Sequence, residues 1–138
     1  MDVMKRLPTT LRNQRGQAVV EFALVLPLLL LLVFGVTEFG RAWMTKNILT
    51  SAAREGCRVA VVTDPDVTAV NSRVDEVCAA GRVTPGTVTV TGPDPADVER
   101  RVSVTVTTDF VVIPGNILGT FSGTIPLSAT AVMRHESF

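Results

Sequence analysis

Between Gly16 and Val36 the chain reads GQAVVEFALVLPLLLLLVFGV, an apolar run interrupted by one carboxylate, Glu21. About 20 such residues make a helix long enough to cross the hydrocarbon layer of a bilayer. The rest of the chain has to be arranged around that helix. The expected divisions are a basic leader over 1–16, a transmembrane helix over 17–36, a helical continuation over 37–62 and a small α+β domain over 63–138.

The leader carries Lys5, Arg6, Arg12 and Arg15 against Asp2 alone. Basic residues flanking a first span stay on the cytoplasmic side, so the expected topology is a single pass with a cytoplasmic N-terminus and an extracytoplasmic C-terminal domain. A conventional secretory signal is not expected. The apolar run exceeds a usual h-region, no small-x-small cleavage site follows it, and the sequence continues into TEFGRAW without a break. Formal net charge is zero, which gives no case for a nucleic-acid partner. Tyrosine is absent and there is one tryptophan, so stacking platforms for bases are not evident either.

Pro27 interrupts the helical hydrogen-bond ladder, which membrane helices tolerate, and Gly35 and Gly40 permit close helix approach. Past Val36 the pattern stays helical but becomes amphipathic. Phe39, Ala42, Leu49, Ala53, Gly56 and Ala60 recur at helical spacing, which predicts one continuous helix from about Ala18 to Val62. Its narrow apolar stripe requires a cover, and the chain's own C-terminal domain is the most economical one.

Thr63-Asp64-Pro65-Asp66 stops that helix, with Thr63 or Asp66 as the cap for a second. Val67, Val70, Val74, Val77 and Cys78 share one face of a short helix ending near Gly81. Alternation then predicts strands over Thr87–Thr91, Arg101–Val112 and Ser122–Arg134, the second with Val102, Val104 and Val106 on one face. The third alternates through Ile125, Leu127, Ala129, Ala131 and Met133, and Ile117, Leu118 and Phe121 are expected to pin the preceding loop to the core. Three strands without helical crossovers favour an antiparallel sheet. The fold class is α+β: a long N-terminal helix packed on a small antiparallel sheet, with a short second helix.

Cys57 and Cys78 both lie beyond the span, on the side expected to be oxidising. A bridge between them would close a loop of about 20 residues and stabilise the domain by roughly 3 kcal/mol. The alternative is two small buried apolar side chains that never pair. The sequence supports a candidate disulfide without excluding the free thiols.

Catalysis finds little support. His135 is the sole histidine and is expected to be solvated, and no Cys/His cluster has metal-ligand spacing. There is no GxSxG, no P-loop and no dinucleotide fingerprint. A pair of aspartates at a turn, as Asp64 and Asp66 are, caps a helix far more often than it moves protons. No cofactor is expected. An enzyme would require Asp64, Asp66, Asp109 or His135 to converge in one pocket.

Glu21 is costly where it stands, by roughly 2.5–3.5 kcal/mol at mid-bilayer. It could snorkel to the membrane edge with Arg15 nearby, or it could meet a partner charge. Were the chain cut after Gly16, Gln17 would carry a free ammonium four residues from Glu21.

The blocks RGQAVVEF, ALVLPLLLLL, EFGRA and NILTSAAREG, in this order, resemble the TadE-like family of minor pilins or pseudopilins in the bacterial tight-adherence (Tad, or Flp) pilus machinery. The resemblance covers about Arg15 to Arg58. It implies a pilin-like fold, a cytoplasmic-membrane or pilus location, and cleavage by a membrane prepilin peptidase. Gly16 would be the cleavage-site residue, Gln17 the mature N-terminus and Glu21 the assembly glutamate, with other pilins or pseudopilins as partners. The short major pilins of such systems lack a sheet domain, which argues for a minor component. The rival reading is an uncleaved, membrane-tethered extracytoplasmic binding or scaffold domain.

Overall fold

The computed structural model describes residues 14–62, 66–93, 98–113 and 123–135, with Gln14 and Arg15 described in backbone alone. The elements are α1 (Gln14–Val62), α2 (Val67–Ala80), β1 (Val88–Thr91), β2 (Arg101–Val111) and β3 (Thr124–Arg134). The chain divides into a unit Met1–Val36 and a unit Thr37–Phe138.

The first unit is the N-terminal part of α1. Its apolar side chains are exposed on every face, from Val19, Val20 and Phe22 through Leu28, Leu31 and Val36. Among the described residues this helix is long and apolar enough to cross a membrane; its most apolar stretch has a mean hydropathy of 2.8 and none of it is buried. A helix apolar all round needs an apolar surrounding, and among the described residues nothing buries this stretch. The α1 sequence retains Pro27 without ending there.

The second unit is the predicted α+β domain. Its sheet has the order β1-β2-β3, all antiparallel, with β2 in the centre. The register pairs Val90 with Val104 and Val104 with Ala131, so the apolar positions of the three strands fall on one face. On β2 that face is Val102, Val104, Val106, Thr108 and Phe110, all buried. Thr108 is the one polar member, and its hydroxyl donates to the Thr84 carbonyl at 2.6 Å. Against this face pack Leu49, Ala52, Ala53, Cys57 and Ala60 of α1 with Val70, Val74 and Cys78 of α2.

Asp66 is the cap of α2, its Oδ1 accepting from the Thr68 N–H at 2.9 Å. At the other end Gly81 has an ordinary right-handed φ of −84°, and the left-handed residue is Arg82 at φ 57°. Gly81 stands there for a different reason. A Cβ on it would come within 2.7 Å of Ile48 Cγ2 on α1. Gly56 plays the same part from the opposite helix, since its Cβ would meet Val74, Val104 and Val70 at 2.8–3.4 Å. At each of the two glycines a side chain of the facing helix packs onto the backbone, and the pairings show that the helices run antiparallel.

Several expectations require correction. Phe39, placed in the buried stripe, is 70% exposed, and Ala42 is half-buried; the covered face of α1 begins at Leu49 and includes Ala52 and Cys57 instead. Val67 and Ile125 are exposed, because each stands at the first turn or end of its element, beyond the layer that covers the centre. Ile117, Leu118 and Phe121 lie outside the described residues, as do Thr63, Asp64 and Pro65.

Candidate functional site

Gly16 and Gln17 lie in the first turn of α1, which starts at Gln14 rather than near Ala18. Both are exposed, and no atom would crowd a side chain at Gly16. Glu21 is exposed on the same helix, one turn beyond Gln17 and about 6 Å along the axis. Residues four apart share a helix face, so the Gln17 nitrogen and the Glu21 side chain are on one side of α1.

From Phe22 to Val36 the helix presents apolar side chains only, all of them open to contact except Leu26, which is half-exposed. The geometry offers a single carboxylate at the edge of a long apolar surface. Such an arrangement can insert into lipid and can pack against other helices, with the carboxylate fixing the register by pairing with one cation.

The cysteines are not joined. Cys57 and Cys78 are free thiols, both fully buried. Cys57 faces the sheet, its Sγ donating to the Val102 carbonyl at 3.4 Å. The helix register explains the missing bond. Gly81 meets Ile48 while Val70 and Val74 meet Gly56, a register that sets Cys78 off from Cys57 along α1. Disulfides need Cα atoms within about 7 Å and Cβ vectors that converge. Burial pushes both thiols above the usual cysteine range, with the Asp75 carboxylate adding to the effect at Cys78.

The candidate acid–base residues stay apart. Asp66 is the α2 cap, Asp109 is exposed near one end of β2, and His135 follows β3 at the other end, its backbone N–H donating to Arg100 at 2.9 Å. Asp109 and the Arg101–Arg134 pair stand eight register steps apart on β2, about 27 Å. Asp64 lies outside the described residues. His135 is not solvated as expected: the β2–β3 ladder runs to Arg134 and holds it inward, and both ring nitrogens are enclosed without a hydrogen-bond partner. Among the described residues no group of three or more His, Cys, Asp or Glu could hold a metal ion.

The cavity in the second unit is a shallow groove of about 450 Å³ lined by Trp43, Met44, Asn47, Ile48, Ser51, Val77 and Gly81. It carries no titratable side chain.

Fold and site together define a class: a single apolar helix fit to anchor in a membrane, continuing into a small α+β domain whose sheet is a three-stranded antiparallel meander. Residues 16–58 match the family model described as TadE-like protein, the family that the ordered sequence blocks resemble. The match begins at Gly16 and ends within the buried part of α1. No curated protein and no solved structure matches the chain.

Proposed function

We propose that the protein is a minor pilin or pseudopilin of a Tad (Flp) pilus, a structural component of assembly and not an enzyme. The observation that carries this reading is the TadE-like match over residues 16–58, which begins at the glycine preceding an exposed apolar helix. On this reading the basic leader stays cytoplasmic, and a membrane prepilin peptidase cuts between Gly16 and Gln17. The new Gln17 ammonium then lies one turn from Glu21. Two opposite charges at that spacing at the edge of the apolar layer attract more strongly than in bulk water, and a staggered neighbour's ammonium could take the same place. Glu21 thus sets the register while side chains from Phe22 to Val36 form the helix–helix contact. The sheet domain sits outside the membrane, at its surface or on the pilus, among other pilins or pseudopilins of the same machinery.

The mature N-terminal mass tests the proposal. In cells with an active prepilin peptidase, the protein should begin at Gln17. An intact Met1 leader in such cells would sink the reading and favour an uncleaved, membrane-tethered scaffold domain.

A further inference from the structure

Phe39 and Trp43 are one turn apart on α1, and their rings stack with centroids 6.2 Å apart and planes 24° from parallel. Both remain largely exposed, at 70% and 61%, and Met44 beside them is equally open. The nearest charges are turned to the protein. Arg41 Nη1 donates to both oxygens of Glu38 at 2.7 and 2.8 Å and its guanidinium lies 5.0 Å over the Phe110 ring. Lys46 donates to the Ser128 carbonyl.

Counting along α1 gives these rings a place. A carboxylate is expelled from hydrocarbon, so Glu21 marks one boundary of the apolar layer. A hydrocarbon core of about 30 Å takes up roughly 20 helical residues, which brings the far boundary to Arg41. Phe39 and Trp43 fall on either side of that point. Indole combines a broad apolar ring with one N–H donor, and tryptophan gathers where acyl chains give way to ester and headgroup oxygens.

We propose that Phe39, Trp43 and Met44 form an interfacial belt seated in the glycerol and headgroup layer of the phospholipid bilayer, fixing how deep α1 inserts. Pairing within Glu38–Arg41 cancels two charges at the level of the headgroups, and the Phe110 contact carries that pair on the sheet domain. The proposal rests on membrane anchoring and is independent of the pilus role.

The chain has one tryptophan and no tyrosine, so its emission reports Trp43 alone. The full chain would be reconstituted in phosphatidylcholine vesicles whose lipids carry bromine at graded depths along the acyl chains. The expected result is blue-shifted emission, quenched most by the bromines nearest the glycerol and progressively less by deeper ones. Moving the probe one turn inward, with Phe39→Trp in a Trp43→Phe background, should shift maximal quenching to a deeper bromine. A chain that floats with the vesicles but whose emission no brominated lipid reduces would overturn the belt, as would strongest quenching from chain-end bromines or identical profiles for the two probes. A chain that fails to float would overturn the membrane reading itself.

Discussion

Gly56 of α1 lies so close to Val74 of α2 that a Cβ built on the glycine would sit 2.8 Å from Val74 Cγ2. Val104 of the central strand and Val70 close the same space, so this glycine is where both helices and the sheet meet. Gly56→Ala gains up to about 1 kcal/mol of helix propensity. Overpacking a full core costs about 1–3 kcal/mol, and here the strain falls on β-branched side chains with few rotamers to retreat to. The expected net effect is destabilisation, read as a lower urea midpoint for the detergent-solubilised full chain. Gly56→Leu should abolish the cooperative transition.

Gly81 makes the reciprocal contact, and its partner is more yielding. Its Cβ would meet Ile48 Cγ2, Cδ1 and Cγ1 at 2.7–2.9 Å, all on one side chain. Gly81→Ala alone should therefore destabilise by about 1–3 kcal/mol. In combination with Ile48→Ala it should cost less than the sum of the two single changes, because the second removes the clash. A double-mutant cycle in urea checks the coupling. Strict additivity would mean that the glycine is there for the chain reversal and not for the close approach.

Periodicity made the five elements of the fold legible, because each alternates or recurs over enough residues to name its type: Val102, Val104 and Val106 on β2, Val70, Val74 and Cys78 on α2. It could not tell what covers an apolar side chain. Phe39 and Leu49 are both apolar residues of α1, yet one is 70% exposed and the other fully buried. Cover is set by where the sheet ends, and nothing local in the sequence records that. The pairing of the cysteines was not legible for a related reason. An even count and a permissive compartment bear on chemistry, whereas pairing depends on the α1–α2 register that Gly56 and Gly81 impose. The proposed cleavage and assembly residues rest on the ordered blocks around Glu21, where a charge in an apolar run is conspicuous. The contrast predicts that Leu49→Ala destabilises the fold by about 2–5 kcal/mol. Phe39→Ala should stay within about 0.5 kcal/mol, as for an exposed site. Thermal unfolding of the two variants in detergent separates them.

The buried thiols make stability fall with alkaline pH. Their folded pKa values are raised by burial, so between the unfolded and folded values the native state holds protons that the unfolded state has released. Stability contributed by the neutral thiols is complete below the unfolded cysteine value of about 8.5 and declines above it, until the folded values are passed. Tyrosine, which would otherwise titrate nearby, is absent. The urea midpoint should drop from neutral pH to pH values above the unfolded cysteine range, and the drop should shrink in the Cys57→Ala, Cys78→Ala double variant. Iodoacetamide should modify neither thiol in the folded protein and both in denaturant. Modification of neither in non-reducing denaturant, reversed by a reductant, would mean that the two are joined in cells.

Glu21 and Gly16 separate processing from assembly. Gly16→Leu leaves helix and span untouched, as nothing crowds that position, but places a bulky side chain beside the proposed cleavage bond. The expected outcome is accumulation of the slower-migrating precursor on gels, and an unchanged band would remove Gly16 as the cleavage residue. Glu21→Val makes the apolar run more apolar, so membrane insertion should be undiminished. On the proposed reading, loss of the carboxylate leaves the Gln17 ammonium without the partner that sets the register. Piliation should therefore fall while the mature protein accumulates in the membrane. Glu21→Asp keeps the charge but shortens its reach by one methylene, and should restore piliation in part. Full piliation with Glu21→Val would mean that the carboxylate does no more than reach for the membrane edge, and register would then have to come from the apolar side chains alone.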